Sequence, residues 1–182
     1  LNRGETERLE TSVFFTQKGI DSLVSVTSYT AADLPAFVSP TTRDGDTNTS
    51  DVRAIFSSGK HYLPSNQLIT GRTEYGSNKN YIVFRYAETL LMYAEALLQG
   101  ASNSVMTADE AVNIVRQRAG MDPLSGVTLD QVVDEKYAEL SMEWGKRFFD
   151  MVRLERYDDL SYDGRTFTAD KKFVTYHQDQ ID

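Results

Sequence analysis

No cysteine occurs anywhere in the 182 residues of the chain. Disulfides and thiolate metal sites are therefore excluded, and the redox compartment leaves no trace. Histidine is nearly as scarce. His61 and His177 stand far apart, and neither has a second His or Cys at ligand spacing, so a zinc site or a catalytic dyad has nothing to build on. A G-x-S-x-G elbow and a glycine-rich phosphate loop are both missing. No apolar run approaches the ~20 residues that a membrane-spanning helix needs. Positive charge is the minority: 19 Lys and Arg face 27 Asp and Glu, for a net charge of −8. That balance argues against nucleic acid or anionic membrane surfaces as partners, and it suits neutral ligands or cations.

What remains is ordinary globular material, 40% hydrophobic and 25% charged, long enough for one domain with a sizeable core. The first eighty residues are polar and rich in turns. Residues 12–15 and 23–29 read as short strands with Gly19 turning between them, and residues 39–51 and 57–80 read as loop and edge-strand material. From Tyr81 the pattern changes. After a short β-branched and aromatic stretch at residues 81–84, Ala87, Leu90, Leu91, Ala94 and Leu98 fall on one helical face, and Gly100 supplies a stop. Thr107 and Glu110 form a capping box that opens a second helix, with Ala111, Ile114, Val115 and Arg118 or Ala119 inward and Gly120 and Pro123 at its end. Thr128 and Gln131 form another. It opens what reads as one long amphipathic helix over residues 128–153, with Val133, Tyr137, Leu140, Trp144, Phe148 and Val152 on its apolar face and Gly145 marking a packing contact or a bend. The fold expected is mostly α: a helix pair resembling a tetratricopeptide unit, plus a long C-terminal helix, preceded by an irregular region with short strands. The divisions expected are residues 1–80, 81–160 and a tail at 161–182. A single helix pair cannot bury its own faces, so the long helix or further pairs must cover it.

Three acids, Glu135, Glu139 and Glu143, recur at a spacing of four and stack on one face of that last helix. Like charges at that spacing cost a lone helix roughly 0.2–0.5 kcal/mol per pair. Partners from outside are therefore expected, and Arg85, Arg116, Arg118 and Arg147 are the candidates, with Asp150 in the cluster that follows. An acid-base enzyme is the competing reading. A glycoside hydrolase needs two carboxylates facing each other across a bound sugar, ~5–9.5 Å apart. Acids on consecutive turns of one helix point the same way and flank no cleft.

The run E-x-x-x-E-L-x-x-E at Glu135, Glu139 and Glu143, followed by R-F-F-D at residues 147–150 and V-R at Val152 and Arg153, resembles the signature near the C-terminus of SusD-like (RagB/SusD) proteins. Residues 85–97, RYAETLLMYAEAL, and 111–120, AVNIVRQRAG, are similar to two further helices of that family, in the same order. Asp51, Val52 and Arg53 resemble its D-x-R step. The tail VTYHQDQID resembles its terminal P-I-P-Q-x-E-I-D element, with Thr175 and His177 in place of the prolines. Trp144 and Lys146 around Gly145 depart from the usual spacing. The resemblance implies further helix pairs upstream and makes this chain, which begins at Leu1, the C-terminal part of a longer protein. It implies a lipid-anchored protein on the outside of the outer membrane of Bacteroidetes-type bacteria. Such a protein captures glycans, or sometimes peptides, for a SusC-like TonB-dependent transporter. It is a binding protein without cofactor or catalysis, attached to the membrane only through a lipid upstream of these residues. The alternative is a helical-repeat scaffold that binds another protein.

Tyrosines on polar loops, Tyr29, Tyr62 and Tyr75, are the candidate ligand contacts, because an aromatic face covers the C–H side of a sugar ring. Tyr86, Tyr93 and Tyr137 read as packing residues on helices, and Trp144 as core. Residues 44–48, DGDTN, match the first half of a calcium loop but fail the second, with Thr49 where Gly is needed and Ile55 where the bidentate Glu belongs.

Overall fold

The computed structural model describes residues 4, 7–48, 54–71, 77–102 and 105–173. The chain divides into two compact units, Leu1–Met142 and Glu143–Asp182. The first holds α1 (Glu7–Ser12), β1 (Val13–Phe15), α2 (Gln17–Val26), β2 (Phe56–Ser58), α3 (Tyr86–Leu98), α4 (Ala108–Arg118) and α5 (Leu129–Glu139). The protein is mostly helical, as the periodicity implies.

Helices α3, α4 and α5 enclose the main core: Ala87, Leu90, Leu91 and Ala94 meet Ala111, Val112, Val115, Val127 and Val132. Alanine at the facing positions lets the helix axes approach. Both capping boxes form. Thr107 and Thr128 accept from the backbone N–H of Glu110 and Gln131, at 3.2 and 3.3 Å, while those side chains accept from the cap residues' own N–H groups at 2.7 and 2.9 Å. The turn between α4 and α5 is held from α4: Asn113 pairs with both the N–H and the C=O of Leu124 at 2.8 Å, and Asp109 accepts from Gly126 and Val127. The helix faces differ from expectation at their margins. Leu98 and Ile114 are exposed, and Val112 takes the inward place expected of Ile114. Val112 is one residue after Ala111 and three before Val115, which centres it on the stripe shared with Ala119. Tyr86 and Tyr137 are also exposed, while Tyr93 packs against the core and donates to the carbonyl of Met106 at 3.0 Å.

The loop-rich first eighty residues contain more helix than their composition announces. Strand β1 pairs antiparallel with β2, in the register Val13 to Ser58, Phe14 to Ser57 and Phe15 to Phe56. The strand expected at residues 23–29 is instead the end of α2, and Gly19 lies inside that helix rather than in a turn. Thr16 caps α2 by accepting from Gly19 N–H at 3.0 Å, and Ile20 and Leu23 pack with Phe15 and Val38 in a second small core. Glycine at position 19 is a matter of close approach: an added Cβ would lie 2.0 Å from the carbonyl oxygen of Ile55.

The largest departure is at residues 128–153. They form α5 and, after a break, α6 (Lys146–Arg153), not one helix. Met142 and Gly145 adopt left-handed backbone, φ 63° and 71°. Side chains take the places that further helical N–H groups would fill: Arg85 Nη2 donates to Glu139 O at 2.9 Å, Lys60 Nζ donates to the same oxygen, and His61 Nε2 lies 3.1 Å from Met142 O.

The second unit holds α6, a 3-10 turn at Tyr157–Leu160, and an aromatic group in which Phe148 meets Phe149 and Phe167 edge-on, with centroids 5.6 and 5.8 Å apart. Trp144, expected in the core, is 49% exposed, because the helix it was to share with α5 ends before it.

Candidate functional site

Two carboxylates anchor the first unit. Glu135 and Glu139, one turn apart on α5, have side chains only 1% and 2% exposed. Glu135 accepts from Arg8 at 2.6 Å and from Arg116 at 2.8 Å, one guanidinium on each oxygen. Glu139 accepts from Arg85 at 2.7 Å and Arg118 at 2.5 Å, and Arg8 Nε lies 3.2 Å from its other oxygen. Arg116 also donates to the carbonyl of Asp122 at 2.7 Å, beyond the end of α4. A buried Lys136 to Glu95 pair, 3.2 Å apart, ties α5 to α3. The like-charge stacking on α5 is thus answered by four arginines from three other places in the chain. The helix break divides the acid row: Glu143, Arg147 and Asp150 fall in the second unit, where Asp150 accepts from Arg153 at 2.8 Å.

Arg8 is the member that sequence reasoning missed. It lies on α1 in a stretch with no motif, and only its burial, 5% exposed, betrays it. Through Arg8 the network fixes α1, whose Glu7, Glu10 and Thr11 line a groove of about 930 Å³. Phe14 and Phe15 of β1, the loop at residues 36–44 and Tyr62 complete its walls. Tyr62 stands edge-on to Phe14, with ring centroids 5.4 Å apart at 61°. Its hydroxyl donates to Asp46 and lies 3.2 Å from the hydroxyl of Thr42. Asp46 also accepts from the Ser65 N–H at 2.8 Å and the Ser65 hydroxyl at 2.5 Å. These bonds, that from the Ser65 hydroxyl foremost, hold the Asp46 carboxyl below its usual range. Burial, then the bond to Asp46, pushes the Tyr62 phenol up. The half calcium loop is therefore a clamp, with Asp46 committed to Tyr62 and Ser65. At the groove's edge Arg43 pairs with Glu10.

The other candidate tyrosines sit apart from this groove or outside the description. Tyr29 follows α2, half-buried, and its N–H donates to the Thr27 hydroxyl at 3.2 Å. Tyr75, the D-x-R step at residues 51–53 and the tail at 174–182 lie outside the described residues. Phe14 and Phe37 were not singled out from the sequence. The alternation Val13, Phe14, Phe15 around a strand is the signal that exposes Phe14 to one face while Phe15 enters the small core. Among the described residues, no group of three or more His, Cys, Asp or Glu is arranged to hold a metal ion.

A chain built this way belongs to the SusD family, whose match covers residues 4–181. A SusD-like protein from Bacteroides ovatus is 36% identical over 81 residues, 43% of this chain and 14% of that protein. Two solved structures are similar in fold. Surface glycan-binding protein A from Bacteroides uniformis is 29% identical with a TM-score of 0.61, over 78% of this chain and 33% of that one. Surface glycan-binding protein A from Bacteroides thetaiotaomicron is 25% identical with a TM-score of 0.63, over 96% and 35%. The chain thus spans about a third of those structures and a smaller part of the curated relative.

Proposed function

We propose that the protein captures glycans (or peptides) and hands them uncleaved to a SusC-like TonB-dependent transporter. It works at the cell surface, on the outer membrane, held by a lipid anchor upstream of these residues. The observation that carries this reading is membership of the SusD family over residues 4–181. The likeness in fold to two surface glycan-binding proteins supports it. The site chemistry agrees. The two buried carboxylates of α5 point into arginines rather than across a cleft, so they do not form the opposed pair that glycosidic cleavage uses. Tyr62 is the proposed stacking residue, with Tyr29 and Tyr75 as further candidate contacts. Stacking and hydrogen bonds of this kind give micromolar or weaker affinity, about −8 kcal/mol or less in magnitude.

Glycan-array binding by the full-length parent, followed by an assay for reducing ends on each bound glycan, tests the reading. Binding without release of reducing ends is expected. Release by pure protein would overturn the non-catalytic assignment, and failure to bind any glycan would overturn the capture role.

A further inference from the structure

We propose that the groove walled by Phe14, Phe37 and Tyr62 is a binding site for an uncharged oligosaccharide and turns anionic glycans away. This rests on the glycan-capture reading and adds the place and the ligand class.

Three features of the groove lead there. The first is a fixed aromatic wall. The Tyr62 hydroxyl is spent on Asp46 and Thr42, and its ring is braced by Phe14. What Tyr62 offers a ligand is therefore its ring, held in place before the ligand arrives, which lowers the ordering cost of stacking. Asp46 is the positioning residue: it joins the loop at residues 41–47 to Tyr62 and Ser65, and it touches no ligand itself.

The second feature is the polar lining. Thr11, Thr41 and Glu7 stand among the exposed residues around the groove. Carboxylates and hydroxyls are acceptors for sugar hydroxyl donors, and the bond to a carboxylate is the stronger kind. Aromatic faces beside such acceptors match a sugar ring, which is apolar on its C–H faces and hydroxylated around its edge.

The third is charge and size. Among the described residues that line the groove, Glu7, Glu10 and Asp44 face one cation, Arg43, which pairs with Glu10. A sulfated or uronic-acid glycan would meet net negative charge along the α1 and residue 41–44 sides of the groove, although Lys79 places its ammonium on the Tyr62 carbonyl at 2.8 Å, and such juxtaposition selects against an anionic ligand. The volume of about 930 Å³ lies at the upper end of the ~300–1,000 Å³ span of small-molecule sites, which suits several rings rather than one.

The experiment is calorimetric titration of the chain with neutral hexasaccharides (laminari-, cello-, malto- and xylohexaose) and with a galacturonate hexamer. At least one neutral hexamer should bind, and the galacturonate should bind at least about ten-fold more weakly. Tyr62→Ala should weaken the neutral ligand by about ten-fold. Because Tyr62→Ala also removes a packed ring, Ala36→Trp is the second variant: Ala36 is exposed at the groove and belongs to neither core cluster, so a large side chain there fills the site without opening the interior. It should give a similar loss. Neutral binding that survives both substitutions would overturn the groove while leaving glycan capture standing. Galacturonate binding as tightly as the neutral hexamers would overturn the ligand class. Absence of binding by every hexamer, beside a positive array result for the parent, would move the site out of this chain.

Discussion

The two sides of the first unit are held by the same kind of bond at opposite ends of its range. On the α5 side, Glu139 meets guanidinium groups with 2% of its side chain exposed. On the groove side, Arg43 meets Glu10 with 82% of the arginine side chain in water. Two buried carboxylates meet four arginines, of which Arg8 and Arg116 are buried with them while Arg85 and Arg118 reach in from nearer the surface. Together they tie α1, α3, α4 and α5 into one unit, because removing either carboxylate leaves buried guanidinium charge unanswered. The exposed pair closes the edge of a groove and is replaceable by solvent. What the contrast teaches is that contact distance says little about energetic weight, and that burial decides it.

The sharpest way to break the comparison is Glu139→Ala. It takes one carboxylate from Arg8, which keeps Glu135, and leaves Arg85 on a backbone carbonyl in place of that charge, and breaking a buried pair from one side costs about 3–5 kcal/mol. Urea unfolding should show a large fall in midpoint with little change in slope. A midpoint within error of the wild type would mean that water reaches the network and that the two sides do not differ.

Gly19→Ala comes next and strikes the groove side through its backbone. The new methyl would lie 2.0 Å from the Ile55 carbonyl oxygen, so α2 or the residues leading into β2 must shift. Overpacking of this kind costs about 1–3 kcal/mol. Thermal unfolding measures it, and an unchanged midpoint would show that the approach of α2 to Ile55 is looser than described.

These two substitutions also mark what could be read from the sequence. The helix trio was legible because its signals are local: alanine stripes at helical spacing, and capping boxes at Thr107 and Thr128 that form as read. The need for partners along Glu135 and Glu139 was legible too, since like charges on consecutive turns call for an answer. The identity of Arg8 was not, because its partners lie 127 or more residues away and nothing near it marks burial. The break after Glu139 was hidden for the same reason. The apolar periodicity runs on through Trp144 and Phe148, while the groups that end α5 (Arg85, Lys60 and His61) come from distant sequence. The groove follows this rule. Its walls are assembled from residues 7–15, 36–44 and 62, and only Tyr62 advertised itself.

Thr128→Ala removes a local signal and should cost about 1 kcal/mol, the usual worth of such a cap. Because Thr128 opens the helix that carries both buried acids, the loss should appear in the cooperative unfolding transition rather than as fraying. Hydrogen exchange at Gln131 and Val132 checks this. Protection lost there alone, with the global midpoint unmoved, would show that the start of α5 opens independently of the network.

Asp46 gives the comparison a pH dependence. Its folded carboxyl is held below its ordinary value of 3.8 by Ser65 and Tyr62. A depressed acid adds stability above its unfolded pKa and loses it as pH falls through the folded value. Asp46→Asn should therefore be less stable than wild type at neutral pH, and the two should converge as the solution is acidified below about pH 3.8. Parallel midpoints for the two proteins from neutral to acid pH would remove Asp46 as the clamp.

The smallest effect belongs to Arg43→Ala. A solvent-exposed pair is worth under about 1 kcal/mol, because water and salt screen it and because ordering two long side chains costs entropy. The unfolding midpoint should stay within error of the wild type, and the double variant with Glu10→Ala should show a coupling near zero. The same cycle run on Arg116 and Glu135 should give a large coupling, since both side chains there are at most 10% exposed. A sizeable coupling for Arg43 and Glu10 would mean that the groove edge is built as tightly as the interior.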